Sequence, residues 1–182
     1  MTVLTAQTAL IVVDLQDGTA AYQHAHPVEK VAGNVEQIAA AVRAAGGHVS
    51  FIWHDPALTP AGATQHGGGP RAAAPDYATP LLQPAAGDGT LTRGGWSAFT
   101  GTALHQQLQQ SDIDTVIIVG HATAYGVEST ARSAYDLGYN VVLVEDATNN
   151  PDPAAHTERF TAVFPGLAVC VSTEALLNSR GA

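Results

Sequence analysis

Six short apolar runs rich in β-branched residues alternate with segments whose apolar residues recur at helical spacing. That alternation is typical of βαβ units, in which crossover helices cover both faces of a parallel sheet. We therefore predict an α/β fold with three αβα layers, Rossmann-like, around a mostly parallel six-stranded sheet. The predicted strands are TALIVVDL (8–15), HVSFIWH (48–54), TLTR (90–93), TVIIVG (115–120), NVVLVED (140–146) and LAVCVS (167–172).

Four segments between these runs have the apolar spacing of amphipathic helices. The first helix ends at Gly46-Gly47, and the second begins directly after the fourth strand and stops at Gly138. The apolar faces consist of Val28, Val31, Val35, Ile38 and Val42 in the first; Val127, Ala131, Ala134 and Leu137 in the second; Leu104 and Leu108 in the third; Phe160 and Phe164 in the fourth.

Residues 55–89 do not fit either pattern, because six prolines and six glycines leave no room for a long periodic element. A loop of this length inside a compact domain is typical of a functional lid or a mobile segment. No linker divides the chain into two packed halves. We predict a single domain over residues 1–182 with one long Gly/Pro-rich loop.

The composition limits the classes of ligand that the chain is expected to bind. The formal net charge of -9 argues against binding to nucleic acid or an anionic membrane surface, so a small molecule is the expected ligand. The first apolar run lacks a basic segment before it and is interrupted by Asp14, which predicts a cytoplasmic protein. The single cysteine, Cys170, lies in an apolar run and is expected to be a buried structural thiol.

Ligands of parallel α/β sheets bind at the carboxyl ends of the strands, near the point where the strand order reverses. This rule selects Asp14, His54, Asp55, Arg93 and the segment 121–126. Asp14 follows five apolar residues, so it needs a partner or a shifted pKa, although an aspartate there also caps helices. A histidine at a strand end, such as His54, is also common as a hydrogen-bonded scaffold residue.

The segment GHATAYGVEST (120–130) is a strand-to-helix turn of small residues. The free N–H groups at the start of the helix, with the helix dipole behind them, suit an anion or a developing oxyanion. The same small residues are also explained by close packing of the helix on the sheet.

Three motifs in this order make the chain resemble the isochorismatase-like hydrolases, also called cysteine hydrolases. They are DLQ after the first strand, TRGGWSAFTGT, and GHATAYGVESTARSAYDLGYNVVLVEDA, and the similarity covers nearly everything outside 55–89. In most of that family an aspartate, a lysine and a cysteine cleave amides through an acyl-enzyme. The matching residues here are Asp14, Arg93 and Gly126, so only the aspartate is kept and the covalent route has no nucleophile.

The resemblance also implies another chemistry. Isochorismatases lack the cysteine, protonate an enol-ether carbon and let water release pyruvate. Asp14 would then be the proton donor, and N–H groups near Ala122 and Gly126 would face the ligand. Arg93 complicates this, because a guanidinium lowers the pKa of a neighbouring carboxyl. Either Arg93 binds a substrate carboxylate while Asp14 acts as a base, or hydrolysis has been lost.

By the same resemblance, Trp96, Phe99 and Tyr125 would wall the pocket, although core packing is the preferred role for Phe99. His54, His121 and Ala122 complete the expected substrate-binding set, and the bond between His121 and Ala122 is expected to be cis. His24 and His26 imitate a metal pair, but no third or fourth ligand is evident nearby, so we predict neither a metal nor another cofactor. A homo-oligomer, dimer or tetramer, is expected.

Three interpretations follow. The first is a hydrolase that acts without covalent catalysis on a small carboxylate-bearing vinyl ether. The second is a catalytically inactive relative that binds a small anion or a partner subunit and keeps Asp14 and Arg93 as a buried ion pair. The third is that Gly126 replaces a natural cysteine.

Overall fold

The computed structural model describes residues 3–22, 24–65 and 68–179. Its centre is a six-stranded sheet in the order β3-β2-β1-β4-β5-β6, and every neighbouring pair is parallel. The predicted α/β fold is confirmed, and each predicted strand is present. The strands are β1 (Thr8–Val13), β2 (His48–His54), β3 (Gly89–Arg93), β4 (Thr115–His121), β5 (Asn140–Asn149) and β6 (Val169–Val171).

The order in which strands are added to the sheet reverses between β1 and β4. From β1 the chain builds outward through β2 to β3, and from β4 it builds the other way through β5 to β6. All residues of both central strands are buried, as expected for strands covered on both faces. The carboxyl ends of β1 and β4 therefore flank the crevice where this type of fold binds ligands.

Helices cover the two faces of the sheet. One face packs against α2 and α6, and the other packs against α3, α4 and the turns around Phe164. The helices are α1 (Asp17–Ala20), α2 (Val28–Ala44), α3 (Leu104–Gln110), α4 (Glu128–Asp136), α5 (Pro153–Glu158) and α6 (Thr173–Asn178). The short helices α1 and α6 have too few turns to show a helical period in the sequence.

Two helical predictions need correction. Leu137 is exposed, because α4 ends at Asp136 and Gly138 turns the chain with a φ of +88°. Phe160 and Phe164 do not belong to one regular helix: Phe160 lies in a π-helical turn, Arg159–Val163, and Phe164 begins a 3₁₀ turn, Phe164–Gly166. Phe164 is nevertheless fully buried, so the apolar pair still marks a segment that packs on the sheet.

The 55–89 segment contains only short local structure among its described residues. A 3₁₀ turn, Pro56–Leu58, follows β2, and Pro80 forms an isolated antiparallel bridge with Gln16. Leu81 donates its N–H to the carbonyl of Leu15, so the end of the segment is held beside the end of β1. This position puts the segment over the carboxyl edge of the sheet.

Cys170 lies in the edge strand β6 and is half-buried. Burial raises the pKa of its thiol, which is unfavourable for a nucleophile. Within the described ranges, no helix combines the length and the apolarity that crossing a membrane requires.

Candidate active site

Asp14 and Arg93 meet at the carboxyl edge of the sheet. Asp14 follows β1 with a φ of +49°, and Arg93 is the last residue of β3, two strands away. Nη2 of Arg93 donates to Oδ2 of Asp14 at 2.5 Å, and Nη1 donates to the carbonyl of Gly95. Both residues are buried, at 6% and 3% exposure. The parallel sheet thus brings together two of the residues that the sequence selects.

The pKa of Asp14 is raised from 3.8 to about 7, because burial penalises the charged carboxylate more than Arg93 favours it. Arg93 lowers this pKa, as expected from the sequence, but the burial of Asp14 raises it by more, so the net shift is upward. Among the described residues, Oδ1 of Asp14 and Nε of Arg93 have no hydrogen-bond partner. The site holds a buried carboxyl whose pKa is raised towards neutrality, next to the positive charge of Arg93.

Gly126 lies against this pair. A Cβ atom at residue 126 would stand 2.7 Å from Nη2 of Arg93, 3.0 Å from Cγ1 of Val13 and 3.3 Å from Oδ2 of Asp14. The first of these distances is shorter than real Cβ contacts allow. The guanidinium therefore occupies space that a side chain at 126 would need.

The turn after β4 joins the strand to α4. The peptide bond between His121 and Ala122 is cis, and Thr123–Val127 forms a π-helical turn before α4. The N–H of Ala124 donates to Oδ1 of Asn150, and that of Tyr125 donates to the carbonyl of Ala122. These two groups are thus used within the protein, whereas Ala122 and Gly126 line the cavity described next.

A cavity of about 760 Å³ opens above the Asp14–Arg93 pair. Trp96 and Tyr125 form part of its wall with their rings 5.4 Å apart in an edge-to-face arrangement, and they are 61% and 49% exposed. Seven of the predicted site residues line this cavity: Asp14, His54, Arg93, Trp96, Ala122, Tyr125 and Gly126.

Two predicted substrate-binding residues lie elsewhere. Phe99 stacks on Tyr139 with ring centroids 6.0 Å apart and packs against the hydrophobic core. His121 is fully buried, and its Nδ1 lies 3.2 Å from the hydroxyl of Thr19. Burial lowers the pKa of His121 to about 4, so its ring is neutral. Neither side chain lines the cavity.

Another wall of the cavity comes from the 55–89 segment, through Arg71, which the sequence suggested only as a possible cover for a bound anion, and Tyr77, which it did not suggest. Nδ1 of His54 lies 2.7 Å from the hydroxyl of Tyr77. Burial and the charges of Arg93 and Arg71 lower the pKa of His54 to about 4. Arg71 is exposed and lines the cavity with Ala72, Ala73 and Ala74. No periodic pattern in the sequence marks these wall residues.

Gly18 in α1 allows Tyr77 to take this position, because a Cβ at residue 18 would overlap the tyrosine ring. We expect Gly18→Ala to push Tyr77 out of the wall and to weaken ligand binding about tenfold or more, with a loss of about 1–3 kcal/mol in stability. Urea denaturation and ligand titration measure both effects. The control is Gly33→Ala in α2, where a Cβ meets nothing within 4 Å. Equal behaviour of the two variants would contradict the role given to Tyr77.

One cluster of possible metal ligands lies outside this cavity. Ring nitrogens of His26 and His156 and a carboxylate oxygen of Glu145 all lie within 4.8 Å of one another. The sequence analysis found no third ligand near His24 and His26, because Glu145 and His156 are distant in the chain. His24 is not part of the cluster.

Comparisons with known proteins agree with this architecture. The family model described as isochorismatase domain matches residues 8–175. The uncharacterized isochorismatase family protein YwoC of Bacillus subtilis (strain 168) is 34% identical, with 94% of this chain and 93% of that protein covered. An isochorismatase family protein from Burkholderia thailandensis has a TM-score of 0.89 at 30% identity, covering 98% of each chain. N-carbamoylsarcosine amidase from Thermoplasma acidophilum has a TM-score of 0.71 at 26% identity, covering 92% of this chain and 96% of its own.

Proposed function

Because the chain belongs to the isochorismatase family, we propose that it is a hydrolase that cleaves a small, carboxylate-bearing vinyl ether without a covalent intermediate. One observation carries the proposal: the buried carboxyl of Asp14 lies on the cavity floor beside an arginine and a glycine. Burial raises the pKa of this carboxyl to about 7. A general acid works best when its pKa is close to the working pH. Asp14 meets that requirement.

In the proposed reaction Asp14 gives its proton to the terminal carbon of the vinyl ether. The carbon that carries the ether oxygen becomes an oxocarbenium ion, and water adds to it. The resulting hemiketal collapses to a keto acid and an alcohol, and the proton that the water loses restores Asp14. No step needs a nucleophilic side chain.

Arg93 would bind the carboxylate of the substrate. A guanidinium has five N–H groups, and its bonds to Asp14 and Gly95 leave others for a ligand. The aromatic rings of Trp96 and Tyr125 suit a cyclic organic group at the other end of the substrate.

The amide chemistry named for the Thermoplasma relative is less well supported here. A Cβ at residue 126 would stand 2.7 Å from Nη2 of Arg93, so a cysteine there requires the guanidinium to shift. The same crowding argues against the interpretation that Gly126 replaces a natural cysteine, because Arg93 would need another position beside that cysteine.

The second candidate is a non-catalytic protein that binds a small anion. The buried ion pair between Asp14 and Arg93 favours it, because such a pair also persists as a purely structural contact. Pyruvate release from isochorismate and related vinyl-ether acids separates the two. We expect release by the wild-type chain and by Asp17→Asn, whose carboxyl is exposed in α1, and a loss of at least about 100-fold in Asp14→Asn. Binding without release in all three chains would favour the second candidate.

The pH profile tests the role of Asp14 separately. If the protonated carboxyl is the active form, kcat/KM stays level below about pH 7 and falls about tenfold per pH unit above it. If Asp14 acts as a base, the fall lies on the acid side of the same pKa. Initial rates measured across this range in constant-ionic-strength buffers decide between the two, and a profile without a transition near neutral pH would contradict both roles.

A further inference from the structure

A second polar cluster lies on the other side of the turn that follows β4. His26 precedes α2, Glu145 lies in β5, and His156 lies in α5. Oε1 of Glu145 is 2.9 Å from Nε2 of His26 and 3.0 Å from Nε2 of His156. The two rings stand edge to face with centroids 5.1 Å apart. Three side chains from distant parts of the chain thus point their ligand atoms at one spot.

The outer nitrogen of His156 is held by a hydrogen-bond chain. Nδ1 of His156 lies 2.8 Å from Oγ1 of Thr123, and this hydroxyl donates to the carbonyl of Asn149 at 3.0 Å. A hydroxyl has one proton and a carbonyl can only accept, so when the hydroxyl of Thr123 donates to Asn149, its oxygen accepts the Nδ1 proton of His156. In the neutral ring, Nε2 then carries a lone pair that faces Glu145.

In this tautomer the lone pair of Nε2 and the carboxylate oxygen lie 3.0 Å apart, and a cation between them would remove their repulsion. Nε2 of His26 converges on the same oxygen, so three possible metal ligands face one point. A metal-bound histidine commonly donates its other ring N–H to an oxygen, as His156 does to Thr123. We infer that His26, Glu145 and His156 form a binding site for a divalent transition metal ion such as Zn²⁺.

The ligand types select the metal. Two imidazoles and one carboxylate suit Zn²⁺ and its first-row neighbours, whereas Ca²⁺ and Mg²⁺ prefer sites built wholly from oxygen. Tetrahedral bonds of about 2.1 Å place neighbouring ligand atoms roughly 3.4 Å apart. The two distances from Glu145 to the histidine nitrogens, 2.9 and 3.0 Å, would therefore lengthen by only a few tenths of an ångström. The protein supplies three ligands among the described residues, which leaves a position for water or another molecule.

The site is connected to the candidate active site through the backbone. Asn149 accepts a bond from the N–H of His26 at 2.9 Å and donates to its carbonyl at 2.8 Å. The neighbouring Asn150 holds the N–H of Ala124 in the turn that lines the cavity. A metal at this cluster would therefore tie the segment before α2 to the turn that carries Ala122 and Gly126.

Binding of Zn²⁺ to the full-length, tag-free chain after treatment with a chelator tests the inference without any measurement of turnover. We expect one Zn²⁺ per chain by isothermal titration, a higher unfolding temperature with Zn²⁺, and no competition by Ca²⁺. Co²⁺ in place of Zn²⁺ should give the visible absorption of a four- or five-coordinate ion.

Two variants locate the site. His26→Ala should weaken Zn²⁺ binding at least about 100-fold, and Glu145→Gln at least about tenfold. The bonds of residue 26 to Asn149 use only its backbone, so the alanine variant keeps them. His24→Ala is the matched control, because His24 is exposed and outside the cluster, and it should bind like the wild type. Failure of the wild type to bind Zn²⁺, or equal binding by His26→Ala and the wild type, would overturn the inference.

Discussion

Replacing Arg93 by methionine is expected to lower the free energy of unfolding by about 3–5 kcal/mol above neutral pH, because it leaves the carboxyl of Asp14 buried without its partner. Arg93 lowers the pKa of Asp14, so its removal raises that pKa further above 7. A carboxyl whose pKa is raised on folding contributes stability below its unfolded pKa of 3.8, and this contribution is lost as pH rises through the folded pKa. The deficit of the variant should therefore be small near about pH 5 and grow above about pH 7.

Urea denaturation of the wild type and of Arg93→Met, at about pH 5 and again well above about pH 7, measures this effect. The control is Arg132→Met, which removes an exposed ion pair with Glu128 on α4 at 2.8 Å. That variant should lose less than about 1 kcal/mol, with no added dependence around neutral pH. A loss for Arg93→Met that is equally small at both pH values would mean that the pair contributes little to the fold.

Introducing a cysteine at residue 126 is expected to destabilise the chain by about 1–3 kcal/mol, because the site is already filled. The new Cβ would crowd Nη2 of Arg93, and bonds to Asp14 and Gly95 prevent that guanidinium from moving away freely. Cγ1 of Val13 would also lie only 3.0 Å from the new Cβ. The free energy of unfolding of Gly126→Cys, from urea denaturation, measures the cost.

A double variant separates crowding from other effects of the thiol. Lysine ends in one compact ammonium group in place of the planar guanidinium, so Arg93→Lys should make room for the cysteine. We expect the double variant to regain much of the stability lost by Gly126→Cys alone. If the two changes were additive, the overlap between residues 93 and 126 would not be the cause.

Much of the cavity floor could be predicted from the sequence because it lies at strand ends. Parallel strands end at one edge, so Asp14, Arg93 and the turn after β4 were expected at the same edge once the strands were recognised. The resemblance to the isochorismatase-like hydrolases then selected Gly126 within that turn. The direction of a side chain beyond a strand end is a different matter, since the regular alternation of the strand stops there. Phe99 lies six residues beyond the end of β3 and packs on Tyr139, although it is only three residues from Trp96. His121 is the last residue of β4, and its ring is buried like every other residue of that strand.

No local sequence pattern encodes the contacts that form the cavity wall, set the pKa of Asp14 and bring His26, Glu145 and His156 together. Arg71 and Tyr77 lie in a segment without periodicity, which is held over the floor by long-range contacts such as its bridge to Gln16 and the bond from Leu81 to Leu15. The pKa of Asp14 is set by a competition between burial and an ion pair, and the sequence reveals the pair more readily than the burial. His26 and Glu145 are 119 residues apart in the chain.

The cavity thus has a floor from strand ends and a wall from the 55–89 segment, and the two are under different constraints. A change in the floor disturbs the buried sheet, whereas loops over a sheet tolerate substitution and insertion. Proteins that descend from one ancestor could therefore change their wall residues and bind new substrates while they keep the same reaction. In this chain, the residues at the strand ends would determine the type of reaction, and the segment that carries Arg71 and Tyr77 would determine the substrate specificity.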